Sequence, residues 1–254
     1  MNEFIQWPRA QYWDKPWNPI VGCWPCSPAC DNCYARSMLQ RFGQSLEPHE
    51  TSKISPPQKG VVFCGNMTDL FGEWLWPGPK CTILYGMGDS LHKAKNGAAT
   101  AYLWLTKRVE RMIRTLQGHR MPTNHYFGFT AENQEWYDER FKDVMDGRWP
   151  QWANLWLSAE PLLGPIELTP LDLAIGGIGV PRIFKWLVVG CESGPKRRPC
   201  KIEWVESIVD QCRSAGVPLF VKQLDLNGKC ETDITKFPAH LRIRQVPWAR
   251  KEQA

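Results

Sequence analysis

The stretch VVFCGNMTD, residues 61–69, is a short apolar run that ends in polar side chains. Five further runs of this kind follow along the chain: YLWLTKR (102–108), YFGFTAEN (126–133), NLWLSAEP (154–161), WLVVGCESG (186–194) and PLFVKQ (218–223). Continuous runs of Val, Leu, Phe and Trp are typical of parallel strands that are buried on both faces. The sequence therefore predicts an α/β fold built on parallel strands.

The segments between these runs are long enough for crossover helices, and helical patterns cover 80–97, 107–118, 134–146 and 201–215. With a first strand near Ile20 and Val21, we expect about six to seven parallel strands in a full or partial (β/α) barrel of the TIM type. A doubly wound sheet is the alternative. We expect one domain over residues 1–254, with an N-terminal extension at 1–16 and a C-terminal tail at 224–254.

The polar ends of the runs are where we expect a functional site, because the carboxyl ends of barrel strands carry the chemistry. A single polar residue there is more often a helix cap or a solvated loop residue. Six such ends in one chain favour a shared site at the barrel mouth. The residues are Asn66, Thr68, Asp69, Thr106, Lys107, Arg108, Glu132, Asn133, Ser158, Glu160, Glu192, Ser193, Lys222 and Gln223.

The composition and the lengths of the apolar runs indicate the general class of this protein. The N-terminus is polar and rich in Pro and Trp, and no run approaches the roughly 18 apolar residues of a membrane span. We therefore expect a soluble, cytoplasmic protein, in which ten cysteines indicate a metal site or catalysis more than disulfides. The formal net charge of +5 permits a nucleic acid as partner without requiring one.

Four of the cysteines lie close together in GCWPCSPACDNCYAR, residues 22–36. Cys26, Cys30 and Cys33 form the spacing C-x3-C-x2-C, whereas Cys23, Cys30 and Cys33 form C-x6-C-x2-C. Three thiolates on a four-iron cluster leave one iron open to another ligand, whereas four thiolates would saturate the cluster. Either spacing therefore leaves one cysteine over.

Zinc is the competing metal, because four thiolates are the usual donors of a closed structural zinc site. Zinc-binding pairs normally lie farther apart than these two, which only three residues separate. The spacing favours an iron–sulfur cluster.

The cysteine spacing after a first strand resembles the radical S-adenosylmethionine (SAM) superfamily. More closely, the chain resembles a family of phage and prophage three-cysteine proteins of uncharacterised function that is related to radical SAM barrels. That family has its first cysteine at the position of Cys23 and an aliphatic residue at the position of Cys26, so this chain carries an additional thiol. Either Cys23 or Cys26 would complete the set of three ligands with Cys30 and Cys33. The resemblance is carried by WNPIVGC (17–23), SPACDNCYA (27–35), GNMTDLFGE (65–73), LTKRVERM (105–112), TAENQEWYDER (130–140), LSAEPLLGPIEL (157–168), VVGCESGPKRRP (188–199) and GVPLFVKQ (216–223).

The resemblance implies a 4Fe-4S cluster and SAM as cofactors, with reductive cleavage of SAM to a 5′-deoxyadenosyl radical. It also implies an electron donor such as a flavodoxin or ferredoxin and, for a phage-encoded protein, the host cell cytoplasm. The ligands would come from Cys23, Cys26, Cys30 and Cys33, and the SAM contacts from Tyr34, Asn66, Thr68, Asp69, Glu132, Ser158 and Glu192. We assign Glu132, Glu160, Glu192 and Lys222 as candidate catalytic residues.

The substrate is indicated by basic and aromatic residues. Lys196, Arg197 and Arg198 in GPKRRP could hold phosphates, and exposed tryptophans such as Trp74 or Trp76 could support a base that has left its stack. The phage context of the family suggests a nucleobase or nucleotide as substrate, with DNA base hypermodification favoured. The alternative function is a zinc-stabilised, non-catalytic protein that binds nucleic acid.

Overall fold

The structure, a computed structural model, describes residues 5–53, 55–75, 94–95, 97–117, 120–146, 148–168 and 183–248. The chain divides into two compact units. The cysteine-loop unit comprises Trp13–Phe129 and Glu139–Ala153, and the C-terminal unit comprises Met1–Tyr12, Thr130–Asp138 and Asn154–Ala254. Among the described helices, none has the length and apolar character needed to cross a membrane.

Strands outnumber α-helices among the described elements. The strands are β1 (Ile5–Gln6), β2 (Lys15–Trp17), β3 (Ile20–Val21), β4 (His49–Glu50), β5 (Val61–Cys64), β6 (Ala101–Thr106), β7 (His125–Thr130), β8 (Asn154–Ala159), β9 (Phe184–Gly190), β10 (Leu219–Leu226), β11 (Lys229–Glu231) and β12 (Gln245–Val246). The helices are α1 (Tyr34–Arg41), α2 (Val109–Gln117), α3 (Gln134–Met145) and α4 (Ile202–Ala215).

In the cysteine-loop unit, β2, β5, β6 and β7 pair in parallel in that order. β5 and β7 are buried along their whole length, which explains their continuous apolar sequences. Among the described strands, β2 pairs with β5 alone, so it is an edge strand. Pro16 is tolerated there because no strand on the open edge of β2 needs a hydrogen bond from its missing N–H. β3 and β4 form a separate antiparallel pair.

In the C-terminal unit, β8, β9 and β10 pair in parallel, and β11 adds to β10 as an antiparallel hairpin. α4 packs on β9 and β10 through Val205, Ile208, Val209 and Cys212, whose spacing puts them on one face. The helix is followed by Gly216, where a left-handed φ of 63° lets the chain turn. Strands β1 and β12 pair in antiparallel fashion.

The hairpin turn between β10 and β11 is formed by Asn227 and Gly228. Both have positive φ angles, 51° and 70°, which is the requirement of a type I′ turn and the reason for an Asn-Gly pair. The segment predicted as a C-terminal tail thus supplies the end of β10, all of β11 and β12.

The prediction of an α/β fold with six to seven parallel strands is confirmed, since each of the six quoted runs overlaps a strand and seven strands pair in parallel. Eight strands, four in each unit, take part in this mainly parallel pairing. Among the described residues, the strand pairings do not form a closed barrel. The last three predicted helices are also confirmed, and most of 80–97 lies outside the described residues.

One strand assignment was wrong. Ile20 and Val21 pair with Glu50 and His49 in the small antiparallel sheet, and the first parallel strand is Lys15–Trp17. The physical reason is that Trp17 lies in the parallel sheet beside Cys64 of β5, whereas Ile20 does not pair with β5. Its indole is 1% exposed and donates to the carbonyl of Lys53.

Candidate functional site

The cysteine loop, residues 22–33, leaves β3 at Gly22 and is attached to the segment after β5. Gly22 has a φ of 87°, and a Cβ at this position would overlap the carbonyl of Glu47. Its own N–H donates to the carbonyl of Met67 at 3.2 Å, and its carbonyl accepts from the hydroxyl of Thr68 at 2.6 Å. Thr68, predicted as a cofactor contact, therefore holds the start of the loop.

Asn66 and Tyr34 form a second attachment. The side-chain oxygen of Asn66 accepts from Asn18 at 2.7 Å, while the Tyr34 hydroxyl donates to the Asn66 carbonyl. The Tyr34 ring remains 47% exposed at the start of α1. The structure thus brings together two predicted SAM contacts, and it uses their polar atoms to position the loop and the helix.

The four loop cysteines are free thiols, and two of them, Cys26 and Cys30, influence each other's charge. The sulfur of Cys30 lies 3.9 Å from the hydroxyl oxygen of Ser27. Interaction with the Cys26 thiol, followed by the charge of Lys107, lowers the pKa of Cys30 from its ordinary 9.0 to about 5. The same interaction raises the pKa of Cys26 far above its ordinary value. The thiolate is therefore favoured on Cys30 and the thiol on Cys26.

Cys23 differs from this pair. Its thiol lies 3.6 Å from the carbonyl oxygen of Trp24, to which it donates. Burial, followed by the nearby carboxylate of Asp69, raises the pKa of Cys23 to about 12. Cys33 directly precedes α1, and its N–H donates to the carbonyl of Cys30 at 3.3 Å.

Arg108, at the end of β6, connects the loop to two carboxylates. Its guanidinium donates to the carbonyl of Trp24 at 3.2 Å, lies 3.1 Å from Asp69 and pairs with Glu73 at 2.7 Å. It also lies over the ring of Trp74, 5.0 Å from the centroid. Although burial opposes its charge, Glu73 and Asp69 raise the pKa of Arg108 above its ordinary value.

Asp69 is 7% exposed and accepts from several donors at once. The Thr106 hydroxyl donates to both of its carboxylate oxygens, at 2.8 and 2.9 Å, and the N–H groups of Phe71 and Lys107 donate at 2.9 and 3.0 Å. Asp69 therefore joins the carboxyl ends of β5 and β6, a structural role that its position in the sequence did not reveal.

The chemistry of the loop suits a soft metal centre, because cysteine thiolates are the ligands of iron–sulfur clusters and of structural zinc. Cys30 already favours the thiolate, which is the form that binds metal. Among the described residues, no three or more His, Cys, Asp or Glu side chains are arranged as a metal-binding group. The fit to a cluster thus rests on the donor atoms and their loop.

The exposed tryptophan at this site is Trp24. The prediction that Trp74 is exposed was wrong. Trp74 is 7% exposed and packs edge-on against Trp24, with ring centroids 5.3 Å apart. Trp24 is 43% exposed and its indole N–H donates to Glu47 at 2.8 Å. Trp76 lies outside the described residues.

The C-terminal unit contains the remaining predicted residues. Glu160 and Lys222, after β8 and within β10, form an ion pair, and the Lys222 ammonium lies 5.9 Å from the centroid of the Tyr12 ring. Glu132 and Ser158 are buried, with 0% and 1% exposed.

Glu192 is held by a basic residue that was predicted to bind phosphate. Its carboxylate accepts from the backbone N–H of Arg198 at 2.8 Å and from the guanidinium of the same residue. Arg197 instead lies 3.9 Å from Asp225, and Lys196 is exposed. Both arginines of GPKRRP therefore face acidic partners of the chain itself.

Sequence reasoning missed a pair of cysteines in this unit, Cys191 and Cys230. The sulfurs of Cys191 and Cys230 lie 3.8 Å apart. The Asn-Gly pair at 227–228 is a hairpin signal that could have placed Cys230 beside β10, whereas nothing in the sequence indicates its contact with Cys191.

Residues 8–236 match the model of a family described as "Protein of unknown function (DUF5131)". The match covers most of the chain, and the chain belongs to this family. No curated protein and no solved structure matches it.

Proposed function

We propose that this DUF5131 protein is a radical SAM enzyme whose cysteine loop holds a 4Fe-4S cluster and whose substrate is a nucleobase or nucleotide. The observation that carries the proposal is a loop of four free thiols attached to the segment after β5, with the pKa of Cys30 lowered to about 5. A thiolate that is stable at neutral pH is ready to bind iron. When bound, such a cluster supplies the electron for cleavage of SAM.

The ligands would be Cys30 and Cys33 together with one further thiol. The superfamily spacing C-x3-C-x2-C favours Cys26 as the third ligand, whereas the family resemblance favours Cys23. A fourth thiolate would occupy the iron that SAM needs, so one of the two cysteines is expected to be dispensable.

The residues around the loop support its positioning. Asn66 holds the residues on either side of the loop, Asn18 and Tyr34. Thr68 attaches the start of the loop to the end of β5, and Arg108 attaches the loop to Asp69 and Glu73. A loop held at both of these places keeps its thiols near the carboxyl ends of parallel strands, where α/β proteins bind ligands. Tyr34, on the adjoining helix, offers an exposed ring for the adenine.

The nature of the substrate is supported by an exposed aromatic ring in the cysteine loop and by positive charge near its thiols. Trp24 is exposed within the loop itself, and its orientation is set by Glu47 and Trp74. Lys107 contributes positive charge close to Cys30. Aromatic rings stack on nucleobases, and positive charges bind their phosphates.

Anaerobic reconstitution with iron and sulfide tests the cluster. The protein should become brown with broad absorbance near roughly 400 nm, and Cys30→Ala or Cys33→Ala should abolish it. Cys212→Ala, in the helix α4, is the control that should retain full iron content. Colourless protein that binds zinc with the same four cysteines would instead support the zinc-stabilised nucleic-acid-binding function.

Reduction of the reconstituted protein in the presence of SAM tests the activity. We expect 5′-deoxyadenosine to accumulate. Cys23→Ala and Cys26→Ala, made separately, should differ, with one retaining iron and product formation. Loss of the cluster in both variants would indicate a site with four thiolates and would contradict the proposed enzyme.

A further inference from the structure

Two cysteines of the C-terminal unit face each other outside the cysteine loop. Cys191 directly follows β9, is fully buried and donates a hydrogen bond to the sulfur of Cys230 at 3.8 Å. Cys230 lies in β11, one residue after the close of the Asn-Gly turn, and is partly exposed. The pair therefore combines one thiol that solvent reaches with one that it does not.

The surroundings of Cys230 favour its thiolate. The hydrogen bond from Cys191, followed by the charges of Arg197 and Lys222, lowers the pKa of Cys230 from 9.0 to about 7, although Glu160 opposes this. The same contact raises the pKa of Cys191 far above its ordinary value. A partly exposed thiolate beside a protonated thiol is the arrangement of an attacking and a resolving cysteine.

We propose that Cys191 and Cys230 form a reactive dithiol that exchanges with small disulfides of the glutathione type and closes to an intramolecular disulfide. This inference uses no residue of the cysteine loop and does not depend on the proposed function.

The exchange proceeds in two steps. The Cys230 thiolate attacks one sulfur of the small disulfide, so that a mixed disulfide forms on Cys230 and one thiolate leaves. Cys191 then loses its proton to the solvent or to the leaving thiolate and attacks the sulfur of Cys230. The second thiol leaves, and two electrons have passed from the two cysteines to the small disulfide.

Closure requires a movement at the edge of the sheet. A disulfide has its sulfurs about 2.0 Å apart, so those of Cys191 and Cys230 must approach by roughly 1.8 Å. β11 has three residues and, among the described strands, pairs with β10 alone. This short edge strand is the element that can shift, whereas Cys191 is held by a hydrogen bond from its N–H to the carbonyl of Gln223 at 3.2 Å.

The test is an anaerobic titration of the reduced full-length chain with mixtures of reduced and oxidised glutathione. Free thiols are then blocked, and the chain is digested without reductant for mass spectrometry. We expect peptides containing Cys191 and Cys230 to be recovered linked, with the loss of two hydrogens. Recovery of both cysteines singly blocked at every ratio, or of Cys230 linked to Cys200, would overturn the proposal.

Two variants test the order of the steps. Cys191→Ser should stop the reaction at a glutathione adduct on Cys230, and Cys230→Ser should leave Cys191 reduced. Cys200→Ser is the matched control, because Cys200 lies in the same unit and should leave the linked peptide unchanged. If Cys230→Ser instead gives a glutathione adduct on Cys191, the assignment of Cys230 as the attacking thiol is wrong.

Discussion

The guanidinium of Arg108 lies 3.1 Å from the carboxylate of Asp69 and donates at the same time to the carbonyl of Trp24. The side chains of Arg108 and Asp69 are 8% and 9% exposed, so this ion pair is largely shielded from water. One side chain thus ties the cysteine loop to the ends of two parallel strands.

Replacement of Arg108 should therefore destabilise the protein. Arg108→Met leaves the carboxylate of Asp69 buried without its charged partner, and we expect a loss of about 3 kcal/mol in the free energy of unfolding. The measurement is urea denaturation. Arg114→Met is the control, because the Arg114–Glu110 pair is 53% and 46% exposed and should contribute less than about 0.5 kcal/mol. Equal effects of the two substitutions would contradict the role of Arg108.

Gly22 should be irreplaceable at the start of the cysteine loop. Gly22→Ala would place a Cβ against the carbonyl of Glu47. The alanine would also have to adopt the φ of 87°, which is unfavourable for any residue with a Cβ. Gly43→Ala is a matched control in the same unit, since its φ of 62° is also left-handed but no atom lies within 4 Å of the added Cβ. We expect a cost of about 1 kcal/mol for Gly43→Ala and a clearly larger one for Gly22→Ala, measured by thermal unfolding. A smaller cost at Gly22 would mean that the loop moves away freely.

Stability should fall in mild acid because of His125. Burial lowers the pKa of His125 from 6.5 to about 4, and its Nδ1 accepts from the indole of Trp104 at 3.0 Å, which requires the neutral ring. The unfolded chain therefore binds a proton that the folded chain does not. The stabilisation is complete above pH 6.5 and decreases by up to about 1.4 kcal/mol per pH unit as the pH falls toward 4.

Urea denaturation at several pH values between 7 and 4 measures this effect of His125. His125→Gln removes the titrating group, so the variant should be less stable at pH 7 but lose less stability between pH 6.5 and 4. Parallel pH profiles for the two proteins would show that other groups cause the loss in acid.

The pH dependence of Cys230 alkylation should show how strongly the hydrogen bond from Cys191 lowers the pKa of Cys230. Because the pKa of Cys230 is about 7, its alkylation rate should rise with pH to a midpoint near 7. Cys191→Ala removes the donor and should move this midpoint to higher pH. Arg197, Lys222 and Glu160 remain as the charged neighbours. Mass spectrometry of iodoacetamide-treated protein gives the rate, and an unchanged midpoint would show that the hydrogen bond is unimportant.

Much of the fold was open to prediction because each buried strand has its own local signal. The apolar runs that contain β5 to β10 are continuous, and Gly216 marks the end of α4. The first strand was misplaced because a three-residue edge strand containing Pro16 has no such pattern. Its parallel pairing with β5, which runs from Lys15 beside Val62 to Trp17 beside Cys64, identifies it.

The site was predicted as a set of residue types, and the structure assigned their partners. Asp69 and Glu192 were expected to face a cofactor, yet Asp69 accepts from Thr106 and Arg108, and Glu192 accepts from Arg198. The sequence could not distinguish these roles, because a carboxylate at a strand end has the same local pattern whether its partner is a ligand or a distant side chain.

The sequence by itself determined the parallel α/β class and the concentration of thiols at residues 23–33, because both depend on neighbours along the chain. The tertiary structure alone decided which thiols meet. The sulfur of Cys191 lies 3.8 Å from that of Cys230, across 39 positions of the sequence. Contacts over such separations arise from strand order and hairpin geometry, which place side chains together irrespective of their spacing in sequence.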